Sequence, residues 1–405
     1  MRAAADHAPA TALQESRLSP SSPPPAGGAP LASPQLALTP LDALHRELGA
    51  RMVPFAGYAM PVQYPSGLLA EHHHTRSRAG LFDVSHMGQV RLAGGAAAAA
   101  LESLVPVDVQ GLPPGRQRYA FFTNADGGID DDLMIVRLAA DELLLVVNAA
   151  CKAADLALLQ AGLAGRCVVE PLPERALLAL QGPQAAAVLA RLAPQAAAMR
   201  FMDACRLELE GAEAIVTRSG YTGEDGFELS VPAERVVALA RRLLAEPEVA
   251  PIGLGARNSL RLEAGLCLYG NDIDAGTSPV EAGLQWAIQK VRRSGGERAG
   301  GFPGAARILA ELDRTRPLAR QRVGLRALER IPVRDGAVLV DRAGAAELGR
   351  VTSGTLAPSA DACVAMAYLP PSHAEVGTEV AALVRGKPVP MAVCPMPFVP
   401  HRYQR

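Results

Sequence analysis

Lysine is almost missing from this chain: only Lys152, Lys290 and Lys387 occur among 405 residues. A Schiff base or a pyridoxal cofactor needs a lysine amine, so chemistry of that kind has few places to start. Aromatic residues make up 4 % and the net charge is −1. With no basic excess and few rings for stacking, neither a nucleic acid nor an anionic membrane suits it as a main partner. Long apolar runs are absent as well, and stretches such as Leu143 to Val147 are far too short to span a bilayer. The six cysteines form no Cys-x-x-Cys pair, a pattern that fits reduced, packed thiols in a reducing compartment. No dinucleotide fingerprint appears, since Gly253-Leu254-Gly255-Ala256-Arg257-Asn258 lacks the final glycine; a Walker loop and a His-Glu-x-x-His pair are likewise missing. There is no Gly-x-Ser-x-Gly elbow. These gaps argue against bound NAD, nucleotides, zinc peptidase chemistry and a serine hydrolase. His72-His73-His74 does not supply a metal site either. Successive helix residues point about 100° apart, so three in a row cannot face one ion, and a solvated helix face is expected.

What remains is a chain long enough for two or three domains. Residues 1–38 are biased to Ala, Pro and Ser and are expected to form a disordered extension. Asp6, Glu15 and the scarcity of arginine make a targeting peptide the weaker reading. Beyond residue 38 the pattern is α+β. Ser66 is placed to cap a helix through Leu68, Leu69 and His72 that stops near Gly80. Strands follow at residues 129–138 and 143–148, and Gly182-Pro183 opens a helix carrying Val188, Leu189 and Leu192. A hairpin is expected from residues 215–221 and 227–231, then helices over 233–244 and 257–266. Residues 293–317, rich in glycine, read as a linker. Short strands at regular spacing then fill 318–405 (323–328, 337–340, 348–352, 363–369, 380–384, 390–393), the signature of a small all-β barrel or sandwich.

Three segments can carry chemistry. In Gly127-Gly128-Ile129-Asp130-Asp131-Asp132-Leu133, three carboxylates enter an apolar strand, a local conflict of the kind found at functional sites. Alternation sets Asp132 with Met134 and Val136, and Asp131 with Ile129, Leu133 and Ile135. Both faces are apolar, so periodicity alone leaves open which acid is buried. In Gly220-Tyr221-Thr222-Gly223-Glu224-Asp225-Gly226-Phe227-Glu228, the alternation of Phe227, Leu229 and Val231 turns Glu228 to the opposite face of its strand. In the third, Arg257 and Arg261 lie one helical turn apart, suited to a bound carboxylate or to pairing with surface acids.

Read in order from about Thr39 to the C-terminus, these segments resemble the glycine-cleavage T proteins, the tetrahydrofolate-dependent aminomethyltransferases. The likeness also rests on Phe55-Ala56-Gly57-Tyr58, Leu81-Phe82-Asp83-Val84-Ser85-His86-Met87, Arg261-Leu262-Glu263-Ala264-Gly265-Leu266-Cys267-Leu268-Tyr269-Gly270 and Met396-Pro397-Phe398-Val399-Pro400. The resemblance implies a three-domain cloverleaf around a central folate channel, with residues 39–292 forming two intertwined α+β domains and 318–405 a β-barrel domain. It implies transfer of the aminomethyl carbon from the lipoyl arm of the H protein to tetrahydrofolate, with ammonia released. Tetrahydrofolate serves as co-substrate, without a metal, pyridoxal phosphate or NAD. Asp132 takes the place of the family's catalytic acid. Met87, Tyr119, Asn148, Tyr221, Glu228, Arg257 and, less closely, Tyr403 take the places of its folate contacts.

The residue types suit that role. One carboxylate can accept both adjacent N–H donors of a pterin edge, a guanidinium offers directional donors, and tyrosine gives flat apolar area with a polar tip. A carboxylate beside a reacting nitrogen can take its proton or offset its charge. Three departures stand out: Asp130 where an apolar residue is usual, expected to raise the pKa of Asp132; Asn258 in place of an Asp; and Tyr58 in place of a Trp. Two rival readings share the fold, a folate-dependent demethylase and a non-catalytic folate-binding factor for iron–sulfur assembly. The latter's Lys-Gly-Cys-Tyr-x-Gly-Gln-Glu signature is only faintly echoed by Cys267-Leu268-Tyr269-Gly270. A cytoplasmic location is expected, with the mitochondrial matrix as the alternative.

Overall fold

Period-two alternation organises the body. Along the strand Ile129–Ala139 the side chains of Ile129, Asp131, Leu133 and Ile135 are buried while Asp130, Asp132 and Met134 are more open. This strand lies in a five-stranded sheet ordered Arg116–Thr123, Ile129–Ala139, Glu142–Val147, Gly88–Ala93, Val168–Pro171. One face of the sheet packs on a core that includes Leu101, Phe122, Ile135, Leu145 and Leu159. A second, six-stranded sheet runs Ala204–Leu209, Ala212–Thr217, Gly226–Pro232, Arg175–Gln181, Ala79–Asp83, Val249–Pro251. Its Phe227, Leu229 and Val231 join Val188, Leu189, Val236 and Leu239 from the helices Ala185–Leu192 and Ala233–Leu244 in a separate core.

The computed structural model describes residues 35–344 and 346–405, so the expected extension falls almost entirely outside the described residues. Its boundary at residue 38 is corrected: Ala37 and Leu38 pair in parallel with Tyr58 and Ala59, using backbone groups that no side-chain pattern announces. The C-terminal strands were well placed by their spacing. Six of them, Gln321–Ala327, Ala362–Leu369, Glu347–Ala357, Val338–Asp341, Glu379–Val384 and Lys387–Cys394, close into a barrel in that spatial order. The barrel has its own core of Val323, Leu325, Leu339, Met391 and neighbours.

Three other expectations need correction. The helix Leu68–Ser77 is not capped by Ser66; its N-cap is Gly67, and no side chain caps it. The presumed linker holds a helix, Ala305–Leu312, whose Ile308 is buried in the first core together with Phe302. Apolar residues at 305, 308, 309 and 312 form the stripe that buries it. Among the three histidines, only His73 is exposed. His72 is fully buried between Ser259 and Ser359, at 2.7 and 2.8 Å.

The helix Leu254–Glu263 starts three residues earlier than expected and joins the barrel to the rest. Arg261, fully buried, donates to Asp272 at 2.6 Å and to Ser353 of the barrel at 2.8 Å. Glu263 accepts from Arg76 at 2.8 Å and from the backbone N–H of Ser359 at 2.7 Å. A buried charge is tolerated only when it is paired and hydrogen-bonded, so these contacts fix the barrel to one helix.

Candidate active site

The two sheets meet through their outer faces. Val136 and Leu144 of the five-stranded sheet pack with Ala204 and Ile215 of the other. Val146 and the partly buried Met134 and Met87 meet Phe82, Leu177 and Ala179. Polar residues from both sheets and from the helix Leu254–Glu263 come together beside these contacts: Tyr221 feels the charges of both Asp132 and Arg257, and Glu228 that of Arg257.

The acidic strand enters through a tight turn. Gly127 has a φ of +78°, and a Cβ on Gly128 would lie 1.8 Å from the Ala275 oxygen. Glycine alone lets the 274–277 loop come so close, and the Ile129 N–H donates to the Asp274 and Thr277 oxygens. Asn124 receives the Gly128 N–H at 2.9 Å and donates to Asp130 at 3.0 Å. Asp130 is thereby turned to Asn124.

The backbone then decides between the other two acids. Asp131 is fully buried and accepts the Asn148 backbone N–H at 3.1 Å and its amide at 2.9 Å. Asp155, also buried, hydrogen-bonds it, and burial together with the Asp131 charge pushes the Asp155 carboxyl well up. Asp132 lies on the opposite face of the strand, where its charge acts on Tyr221. Tyr119 donates to one of its oxygens at 3.0 Å and Asn148 to the other at 2.7 Å. Burial first, and the Asp131 charge second, raise the Asp132 carboxyl to about 7, against those two hydrogen bonds. The neighbouring charge that matters is Asp131, where the sequence suggested Asp130. A carboxyl poised near 7 can hold or accept a proton at physiological pH.

On the six-stranded sheet, Glu228 pairs in register with Thr217 and accepts from Ser219 at 3.1 Å. Burial raises its carboxyl, opposed by Arg257 and Ser219. The Arg257 guanidinium lies 4.7 Å from the Tyr221 ring centre, and its Nη1 is buried without a hydrogen-bond partner. Arg261, its helical neighbour, is committed to Asp272, so of these two arginines Arg257 is the one with an unpaired buried donor. Asn258 has found a different partner, accepting from Arg261 Nε at 2.9 Å. Tyr221 itself donates to the Cys267 carbonyl. At the rim, Lys152 donates to the Tyr58 hydroxyl and to the His86 carbonyl. His86 is buried with an unpartnered Nδ1, and desolvation followed by the Arg257 charge keeps its ring neutral.

The body that carries these residues, with its six-stranded C-terminal barrel, has known counterparts. Residues 41–292 match the GCVT N-terminal domain and residues 320–400 the glycine cleavage T-protein C-terminal barrel domain. The chain belongs to the glycine-cleavage T-protein family. It is 43 % identical to the mitochondrial aminomethyltransferase of Dictyostelium discoideum, covering 92 % of this chain and 95 % of that one. The corresponding protein of Gallus gallus is 47 % identical, with coverage of 90 and 93 %. The crystal structure of the glycine cleavage system aminomethyltransferase T from Bartonella henselae superposes with a TM-score of 0.86 at 46 % identity, over 92 % of this chain and 100 % of that one.

Of the residues singled out by resemblance to T proteins, Tyr119, Asp132 and Asn148 form one bonded group, while Tyr221, Glu228 and Arg257 form another beside it. Met87, like Met134, packs against the cluster that holds Phe82, Val146 and Leu260. Tyr403 stands apart in a separate stack, 4.1 Å between ring centres from Phe201 and 4.8 Å from His401. The sequence reading overlooked Trp286, His86 and Asp155. Trp286 is the chain's only tryptophan; it is 61 % exposed and stacks on Tyr119 at 5.6 Å. Its rarity was a usable signal, whereas nothing local distinguished Asp155.

Proposed function

We propose that this T-protein family member transfers the carbon of an aminomethyl group to tetrahydrofolate and releases ammonia, taking the group from the lipoyl arm of the H protein. The observation that carries this reading is the match of residues 41–292 and 320–400 to the two T-protein family domains; the Asp132 carboxyl, held by Tyr119 and Asn148 and raised to about 7 by burial and the Asp131 charge, suits it. A pterin suits the polar groups beside it. Glu228, with Ser219 as its one hydrogen-bonding side chain, can accept two adjacent ring N–H donors, and the unpartnered Arg257 Nη1 can donate to a carbonyl or carboxylate. Tyr119, Tyr221 and Met87 supply apolar area for the ring system, and Tyr403, in its stack with Phe201, is an outer contact for the rest of the folate.

In the reaction, Asp132 takes or holds the proton of the folate nitrogen that accepts the carbon. Tyr119 and Asn148 fix its two oxygens, and Asn148 does so while anchored to Asp131. Hydrogen bonds from Tyr119 and Asn148 favour the charged form and burial disfavours it; this balance leaves the carboxyl able to cycle. No covalent link to the enzyme is required, because the folate nitrogen is itself the nucleophile.

The relatives from Dictyostelium, chicken and human are mitochondrial. For this chain we place the reaction in a reducing compartment, the cytoplasm or a mitochondrial matrix, in keeping with its six free cysteines. No described helix is long and apolar enough to cross a membrane. The test mixes the protein with aminomethylated H protein and tetrahydrofolate and follows ammonia. Release that needs both substrates and is lost in Asp132→Asn supports the proposal. Demethylation of a free methylamine donor with no response to H protein would overturn it in favour of the demethylase reading.

A further inference from the structure

Trp286 leaves most of its indole in solvent, yet the backbone beneath it is firmly held. It sits on the short turn Gln285–Ala287, and its neighbours Leu284, Ala287 and Ile288 are buried in the first core. Arg293 ties both ends of that turn, donating to the Gln285 carbonyl at 2.6 Å and to the Ile288 carbonyl at 2.8 Å. The indole therefore adds little to the core while a rigid turn aims it at one ring. That ring is Tyr119, 5.6 Å away between centres and inclined by only 22°. Phe121 meets the same phenol edge-on at 6.2 Å. Tyr119 in turn spends its hydroxyl on Asp132, at 3.0 Å. An exposed indole, a phenol and the acid given the proton transfer thus form one connected series.

We propose that Trp286 is a positioning residue, whose indole stacks on Tyr119 and holds the Tyr119 hydroxyl on Asp132. This rests on the proposed function, which gives Asp132 its task, and adds the group that keeps its hydrogen bond aligned. A phenol hydroxyl goes where its ring goes, and a hydrogen bond weakens steeply once its angle is lost. Stacking against a second ring favours one tilt and offset over others, and it does so without bringing a charge near the carboxyl. The other groups about Asp132 are Asp131 on its own strand, Asn148, the Tyr221 phenol and the thiols of Cys151 and Cys267, with Asp155 also within reach of its charge. On the barrel side, the Arg322 guanidinium interacts with Tyr119. Replacing the indole leaves all of these in place, so its effect on Asp132 runs through Tyr119.

The experiment compares Trp286→Ala and Trp286→Phe with wild type in the full chain, each alone and combined with Tyr119→Phe. Tyr119→Phe removes a hydrogen bond to the charged carboxyl and should move the pH–rate inflection upward by roughly one unit. Trp286→Ala should move it the same way by about half as much and lower kcat at pH 7 about fivefold. KM for tetrahydrofolate should stay within about twofold, and Trp286→Phe, which keeps a ring, should restore most of the loss. In the Tyr119→Phe background, Trp286→Ala should change nothing further, because the hydroxyl it positions is gone. A second readout needs no turnover. Trp286 is the only tryptophan in the chain, so its emission should titrate with the Asp132 carboxyl, near pH 7, and lose that step in Asp132→Asn and in Tyr119→Phe. This titration stands even if ammonia release with H protein fails, which keeps the inference separate from the proposed function. Losses on removing the indole that are equal with and without the Tyr119 hydroxyl would overturn it, making Trp286 a contact for ligand or partner. A lowered melting temperature with an unmoved pH profile would overturn it too, as the mark of a packing role.

Discussion

Asp132→Asn should make the protein more stable at alkaline pH while nearly abolishing its turnover. In the native state the carboxyl sits near 7 in place of its ordinary value near 4, through burial and the Asp131 charge. Between those two values the folded chain holds a proton that the unfolded chain has released. Stability therefore falls as pH rises through this window, and above about pH 7 the full cost is present. At about 1.4 kcal/mol for each pH unit, that cost is on the order of 4 kcal/mol, reduced by whatever water reaches the carboxyl. Asparagine carries no charge at any pH, keeps an oxygen to accept from the Asn148 amide, and escapes this penalty. The melting temperature of Asp132→Asn relative to wild type should thus climb by several degrees between pH 5 and pH 8. Loss of the proton acceptor should lower turnover roughly 10²- to 10⁴-fold, with folate affinity retained within a few-fold. Scanning calorimetry at the two pH values, paired with ammonia release at saturating folate, tests both halves. A stability difference that does not change with pH would show that the carboxyl is not held in a raised state. Turnover surviving in Asp132→Asn but lost in Asp131→Asn would move the chemistry one residue along the strand.

Other perturbations have distinct expected outcomes. Asp131→Asn removes the second cause of the raised Asp132 carboxyl and an acceptor of the Asn148 N–H groups; the pH–rate inflection should move to lower pH and the melting temperature should fall at all pH values. Glu228→Gln places an amide nitrogen against the ring N–H donors and should cost about 1.5–3 kcal/mol of tetrahydrofolate affinity by calorimetry. Arg76→Met strands Glu224 and Glu263, its buried partners at 2.8 Å, and should destabilise the chain by about 3–5 kcal/mol in urea unfolding. Because Glu263 is held low, at about 2, despite burial, by His72 and Arg76, its share of stability is present above ordinary carboxylate pH and is lost only in strong acid.

Much of the scaffold could be read from alternation and turn residues. The barrel strands, the helix Ala233–Leu244 and the placement of Glu228 opposite Phe227, Leu229 and Val231 all follow from short-range periodicity. The choice between Asp131 and Asp132 did not, because both strand faces are apolar and only the docking of a second sheet distinguishes them. The burial of His72 was hidden for a similar reason: its partners, Ser259 and Ser359, are far away in sequence, and one belongs to the loops of the barrel. Asp155 is an ordinary residue in an element and gains meaning only from what faces it. The helix Ala305–Leu312 is short and follows Gly300, Gly301 and Gly304, so its apolar stripe is masked by residues that ordinarily mark a loop.

The helix Leu254–Glu263 puts Arg257 over Tyr221 and, one turn later, Arg261 and Glu263 into the contacts that hold the barrel. A chain cut before the barrel would keep the complete acidic strand, Glu228 and Arg257, yet would lose the Ser353 and Ser359 groups that accompany Arg261 and Glu263. Nascent chains pass through that state during synthesis, when the first two sheets have left the ribosome and the last six strands have not. Until the barrel arrives, Arg261 keeps Asp272 and Glu263 keeps Arg76, but each lacks one hydrogen-bond partner. The hydrogen bonds around the C-terminal turn of this helix are therefore completed last, when the C-terminal strands close.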